Sequence, residues 1–250
     1  MKSTDPSEFL ECADWDQAVA QSKGYESTDL ISHYSAQFAL DKPWLQNGSK
    51  LNPEDFNLSE RQANLFFGFA IAIAKLRKKQ IRVLDIGGGN GYMAYWLRDF
   101  FREQSFEWVI LESESVAKSY NKWRKEARID WIHKNPFTES FDIILISCTL
   151  QYIENWSQVV LESVSNCQFL FLMRLPILEG NQHKFGVQRI FRKSLGKSFD
   201  ASVPCHFFGA SEIFDQISTE MNPVYKLVYH DESVIFLNEE VRFQDVFLSK

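Results

Sequence analysis

The decisive stretch reads Val83–Leu84–Asp85–Ile86–Gly87–Gly88–Gly89–Asn90–Gly91–Tyr92. A mainly apolar strand, opening at Ile81, runs into four glycines, and Tyr92 to Phe101 then reads as a helix. Glycine is required where the chain turns with positive φ and where a ligand must meet bare backbone. A helix that starts there points free N–H groups at whatever sits over the loop. A loop of this kind at the C-terminal end of a buried strand makes a nucleotide-type cradle. An inert tight turn between strand and helix would use the same residues, so the surroundings of the loop must decide between the two.

Downstream, strands and helices alternate. Phe106 to Leu111, Ile129 to His133, Phe141 to Ser147 and Cys167 to Arg174 read as strands. Ser115 to Ala127 and Asn155 to Val164 read as helices between them. Strands apolar on both faces belong to a parallel sheet covered by helices. The expected fold is therefore α/β, doubly wound. Its sheet is seven-stranded and mostly parallel with a closing antiparallel strand, built by Tyr225 to Tyr229, Val234 to Leu237 and Val241 to Leu248. Residues 175–210 hold Pro176, Gly180, Gly186, Gly196, Pro204 and Gly209, and read as a long irregular loop before a helix at about 211–219.

Upstream, helical pieces are expected around 14–22 and 28–39, followed by Pro43, Gly48 and Pro53. Ser59 and Gln62 have capping-box spacing at the start of an apolar helix reaching about Lys78. These features divide the 250 residues into an N-terminal helical extension, 1–58, and a ligand-binding α/β domain, 59–250.

Composition narrows the possibilities. Lys and Arg number 27 and Asp and Glu 33, a net charge of −6, which argues against a general nucleic-acid binder. The basic run Lys75–Leu76–Arg77–Lys78–Lys79 closes an apolar helix, where cations are favourable. Cys12, Cys148, Cys167 and Cys205 form no CxxC pair, so no metal or redox motif is present, and the thiols suit a reducing compartment. The apolar stretch Leu65 to Ala74 is too short to span a bilayer, and Met1 to Asp16 has no secretory h-region, so a soluble cytoplasmic protein is expected. The 22 Phe and 7 Trp are read mainly as core.

The spacing of the glycines separates two ligand classes. A dinucleotide fingerprint, GxGxxG, would place its third glycine at the position of Tyr92. Gly87, Gly89 and Gly91 instead form GxGxG, with Asp85 two residues ahead. DxGxGxG resembles the first motif of class I, Rossmann-like methyltransferases, which bind S-adenosylmethionine (SAM). Glu112 ends the second strand 25 residues after Gly87, where an acid accepts hydrogen bonds from ribose hydroxyls. The resemblance implies that Asn135, just past the third strand, approaches an adenine ring, unless it only turns the chain before Pro136. Ser147 ends the fourth strand where methyl donor and acceptor would meet, or caps that strand.

Over residues 14–250 the chain also resembles a bacterial methyltransferase-like family with a DFGGG-type loop. The resemblance is carried by Trp15, Gly24–Tyr25, Asp85 to Gly89 with Ile86 in place of Phe, Leu150–Gln151–Tyr152, Arg174 and Pro176, and Gln188. Ser202–Val203–Pro204 departs from the family's aromatic pattern at Val203. The resemblance implies a small-molecule acceptor of the sugar or sugar-nucleotide kind. Gln151, Tyr152, Arg174 and Gln188 are the candidate substrate contacts, and Arg174 suits an anionic group or a carboxylate partner. His206, then His183, are the candidate general bases. An NAD-linked oxidoreductase and a non-catalytic SAM binder are the alternatives.

Overall fold

The computed structural model describes residues 9–25, 27, 60–180, 182–194, 197–217, 220–236 and 239–250. The helix expected at 28–39, the breaks at Pro43 to Pro53, the Ser59 cap and the 58/59 boundary lie outside these residues.

Strand β1 (Phe9–Cys12) and helix α1 (Trp15–Gln21) come first. Asp14 caps α1 by accepting the Gln17 N–H at 2.8 Å. Helix α2 (Glu60–Leu76) leads to β2 (Gln80–Ile86), α3 (Tyr92–Phe100), β3 (Ser105–Leu111), α4 (Glu114–Asn121), α5 (Arg124–Ala127) and β4 (Ile129–Ile132). Then follow β5 (Phe141–Ser147), a 3-10 turn at Leu150–Tyr152, α6 (Trp156–Asn166) and β6 (Cys167–Leu178). The chain closes with β7 (Lys184–Ser194), β8 (Lys197–Gly209), α7 (Ala210–Ile217), β9 (Asn222–Phe236) and β10 (Glu239–Ser249).

The central sheet has the order β4-β3-β2-β5-β6-β10-β9. Its pairs are parallel from β4 to β6, and β10 runs antiparallel to both of its neighbours. This is the expected doubly wound sheet of seven strands with one closing antiparallel strand. Alternation along each strand divides the core into two layers. Val83, Ile143, Leu145 and Phe171 meet Phe69 and Trp108 on one face. Leu84, Ile144, Ile146 and Leu172 meet Val160 and Ile213 on the other. Because both layers are buried, these strands show near-continuous apolar sequence. Phe69 of α2 stacks on Trp108 at 5.8 Å and meets the edge of Phe171 at 5.3 Å.

Most of the described residues in the expected irregular segment 175–210 are instead sheet. β6 continues to Leu178, and β7 and β8 form a long antiparallel hairpin that carries β1 on its outer edge. Two loop-like residues have strand roles here. A Cβ on Gly186 would lie 2.9 Å from the Leu10 carbonyl, so glycine lets β1 approach. Pro204 sits opposite Val187 where β8 has β7 as its partner, and an outward-facing position there needs no N–H. The hairpin joins the central sheet through Ile177–Leu178 opposite Phe208–Gly209.

β6 changes direction at a bulge. Met173 and Arg174 together face Asp245 across the β10 ladder, and Arg174 has φ of 54°. The fully buried Asp245 holds the bulge by accepting the Arg174 N–H at 2.8 Å, and it accepts from Asn64 of α2 at 3.3 Å. A second irregularity explains the tail: β9 is one strand rather than two, and residues 229–232 bulge out opposite Phe243. At the N-terminus, β1 precedes the expected helix, and the chain after α1 is tied to β8 by Lys23 and Gly24 N–H bonds to the Ser202 carbonyl.

Candidate functional site

β2 and β3 lie to one side of the sheet's start and β5 to the other, so the strand order reverses beside the end of β2. A crevice outside the strand ends is expected at that point. The glycine loop lies there. Gly87, Gly89 and Gly91 have φ of 72°, 56° and 77°, and Gly91 opens α3. At Gly87 a Cβ would also fall 2.3 Å from Thr149 Cγ2 and Oγ1, so the loop is pressed against the chain leaving β5. At Gly88 a Cβ would stand 2.5 Å from the Asp85 carboxylate. Bare backbone is thus needed on both sides of the turn.

A cavity of about 340 Å³ opens over this loop, and Gln62 and Met93 line it together with Asp85, Gly87, Gly88, Asn90, Tyr92 and Ser147. Asp85 is 1% exposed, and Trp108 Nε1 donates to its Oδ2 at 3.4 Å. Glu112 Oε1 accepts the Gly89 N–H at 2.8 Å, and Trp131 Nε1 donates to the Gly89 carbonyl at 2.8 Å. Both backbone polar groups of Gly89 are therefore held from the ends of two strands. Among the described residues no lysine or arginine lines the cavity.

The predicted cofactor residues Asp85, Gly87, Gly88 and Ser147 line this cavity, whereas Gly89, Gly91 and Glu112 are not among its lining residues, and Glu112 is bonded to the loop at Gly89. Asn135 lies outside the lining: it is exposed, accepts the Phe137 N–H at 2.8 Å and donates to Glu162 at 3.5 Å. Gln62, Asn90, Tyr92 and Met93 are lining residues that the sequence did not single out as site residues. Asn90 lies inside the motif and accepts the Tyr92 N–H at 3.0 Å. Gln62, which donates to Tyr92 at 3.3 Å, arrives from α2 and had no local signal.

The predicted substrate residues are not gathered at this cavity. Gln151 is 6% exposed with no partner for Oε1 among the described residues. Tyr152 donates to Gln188 Oε1 at 2.5 Å. Arg174 lays its guanidinium over Phe243 at 4.8 Å.

His206 and His183 meet at a second cavity, of about 550 Å³, which shares no lining residue with the first among the described residues. Antiparallel pairing of β7 and β8 sets His206 opposite Phe185. Glu212, in the first turn of α7, takes His183 Nδ1 at 2.8 and 2.9 Å, and His183 Nε2 meets His206 Nδ1 at 2.8 Å. Trp15 stacks on His206 at 4.1 Å. Burial, then the neighbouring His183, push the His206 pKa down to about 3, with the Ile153 carbonyl working the other way. Among the described residues no group of three His, Cys, Asp or Glu is placed to hold a metal ion, and no helix is long and apolar enough to cross a membrane.

No family model matches the chain, and no curated relative matches it. Solved structures resemble it in shape. The N-terminal domain of EvdMO1 with SAH bound is 12% identical at a TM-score of 0.48, over 88% of this chain and 97% of that one. A S-adenosylmethionine-dependent methyltransferase from Clostridium acetobutylicum is 11% identical at 0.47, over 84% and 97%. The PH0226 protein from Pyrococcus horikoshii is 14% identical at 0.46, over 80% and 97%.

Proposed function

We propose that this chain is a SAM-dependent methyltransferase acting on a small molecule. The observation that carries this is the glycine-loop cavity with Asp85 in its lining and no cation among the described lining residues. A dinucleotide brings a pyrophosphate, which a buried carboxylate would repel. An adenosyl sulfonium brings positive charge, which Asp85 favours. The positive-φ turn leaves room for it, and Glu112, already held over the loop by the Gly89 N–H, offers carboxylate oxygens suited to ribose hydroxyls.

When bound, SAM supplies a methyl group already activated by positive sulfur. The chain's own part is to bind, align and exclude water. Alignment can contribute about 7–11 kcal/mol in favourable cases. Gly87 and Gly88 provide the close backbone approach, Asp85 the charge, and Ser147 the wall nearest the end of β5. The proposed acceptor is a sugar or sugar nucleotide, the class that the sequence resemblance implies. Placement of His183 and His206 in the other cavity favours a second reading, a SAM-binding protein without turnover.

A thermal-shift panel of SAM, S-adenosylhomocysteine, NAD and NADP tests the ligand class. Ligand at about 100 times its dissociation constant adds about 2.7 kcal/mol of stability. A response to the dinucleotides alone overturns the proposal. Transfer of labelled methyl groups into small molecules of a cell extract then separates the enzyme from the binder.

A further inference from the structure

A third cavity, of about 490 Å³, lies at the opposite end of the sheet from the glycine loop, where β2, β3 and β4 begin. Its charged lining is Glu107, Arg124, Lys125, Arg128 and Asp130, with the Gln80 amide beside them. Both carboxylates are already engaged: Glu107 accepts Arg82 Nε at 2.8 Å, and Asp130 accepts Arg124 Nη2 at 2.8 Å. Lys125 and Arg128 make no ion pair and no side-chain hydrogen bond among the described residues. The cavity therefore holds two uncommitted cations in a chain whose net charge is −6.

Arg98 adds a third charge behind them. Half-buried in the last turn of α3, its guanidinium donates to the Ala127 and Arg128 carbonyls at 2.8 and 2.7 Å and to the Phe106 carbonyl at 3.4 Å. Among the described residues it meets no carboxylate. Burial lowers its pKa, with Tyr95 working the other way and the Arg128 charge adding to the lowering. A cation withdrawn from water is ordinarily paired with an anion. Lys125 and Arg128 stand three residues apart across the end of α5, a spacing at which like charges repel. An anion in the cavity relieves all three groups.

The backbone is arranged around Arg128. This residue closes α5 with φ of 54°, a left-handed position where glycine is the usual choice. The two Arg98 bonds to carbonyls 127 and 128 hold that turn, which thus presents an arginine where glycine would fit the chain better. Arginine offers paired donors and lysine a compact charge, and both are binders of phosphate. A phosphomonoester carries about −1.5 to −2 charge at neutral pH, which matches two free cations. The volume lies within the range of small-molecule sites, about 300–1,000 Å³, so there is room for a body beyond the phosphate.

We propose that this cavity binds a phosphomonoester of a small polar molecule, with the phosphate between Lys125 and Arg128 and a hydroxyl of its body on the Gln80 amide. Arg98 is a positioning residue that holds the Arg128 turn and adds to the positive field. Among the described residues the site shares no lining residue with the glycine-loop cavity, so it stands whether or not SAM binds there.

Calorimetric titration of the full chain with glucose 6-phosphate, glucose 6-sulfate and glucose, all at one ionic strength, tests the site. The phosphate is expected to bind saturably, the singly charged sulfate about tenfold more weakly, and glucose without measurable heat. Arg128→Gly removes the guanidinium and suits the left-handed backbone. It is expected to weaken glucose 6-phosphate by about tenfold while the urea midpoint stays at or above that of the wild type. Lys125→Gln, at an exposed position, should weaken it by a similar factor at an unchanged midpoint. Undiminished binding by either variant, equal binding of the sulfate or of glucose, or no saturable heat up to about 10 mM glucose 6-phosphate overturns the proposal. The SAM thermal shift, read on the same samples, reports separately on the glycine-loop cavity.

Discussion

Replacing Gly87 with alanine should be costly for two separable reasons. The residue has φ of 72°, and an added Cβ would lie 2.3 Å from Thr149 Cγ2 and Oγ1 and 2.8 Å from Thr149 Cβ. The left-handed backbone costs about 1–2 kcal/mol for a residue with a side chain. Overpacking against a neighbour that cannot leave adds about 1–3 kcal/mol. Thr149 is restrained because its Oγ1 donates to the Ser147 carbonyl at 3.0 Å. Gly87→Ala should therefore destabilise by about 2–5 kcal/mol in total. Thr149→Ala alone gives up one hydrogen bond, about 0.5–1.5 kcal/mol. It also removes Cγ2 and Oγ1, so the double variant should be less destabilised than the two single changes together. Urea denaturation of the wild type, both single variants and the double variant measures this cycle. A coupling of at least about 1 kcal/mol is expected, well above the 0.3–0.5 kcal/mol by which independent sites depart from additivity. If Gly87→Ala costs the same with and without the threonine side chain, the contact does not explain the glycine.

Glu112→Ala should leave the Gly89 N–H without its acceptor and reduce the SAM thermal shift, whereas a full response would remove Glu112 from the site. Asp245→Ala should cost about 1–3 kcal/mol in urea melts by stranding the Arg174 N–H, and Asp245→Asn, which keeps an acceptor, should cost less. Phe69→Ala should cost about 3–5 kcal/mol, while Phe67→Ala, at a 59% exposed position on the same helix, should stay within about 0.5 kcal/mol. His206 has its pKa lowered from 6.5 to about 3, so its contribution is present above pH 6.5 and is lost as pH falls toward 3. His206→Gln should therefore flatten the acid side of the stability profile in urea melts, and an unchanged slope would mean the ring is solvated.

What could be read from sequence follows from where the information resides. The strands at Ile81–Ile86 and Phe141–Ser147 were legible because burial on both faces leaves apolar runs. The glycine loop was legible because its turn is built from consecutive residues whose positive φ calls for glycine. The hairpin of β7 and β8 was not, since Gly186 and Pro204 usually punctuate loops, and only the approach of β1 and a one-sided ladder make them strand residues. Gln62 reaches the first cavity from a helix 25 residues before Gly87, with no pattern to mark it. The residue types of His183 and His206 suggested chemistry, but a cross-strand register brought them together and away from the glycine loop.

The seating of β1 on β7 has a consequence for biosynthesis. Glu11 pairs opposite Gly186, so β1 must wait for 175 further residues before its partner exists. At ordinary elongation rates that delay is on the order of ten to thirty seconds. Pairing across so long a span is intrinsically slow as well. The emerging segment Phe9–Leu10–Glu11–Cys12 thus spends the wait as an unclaimed edge, and a charge at its third position helps to deter stray partners on neighbouring nascent chains.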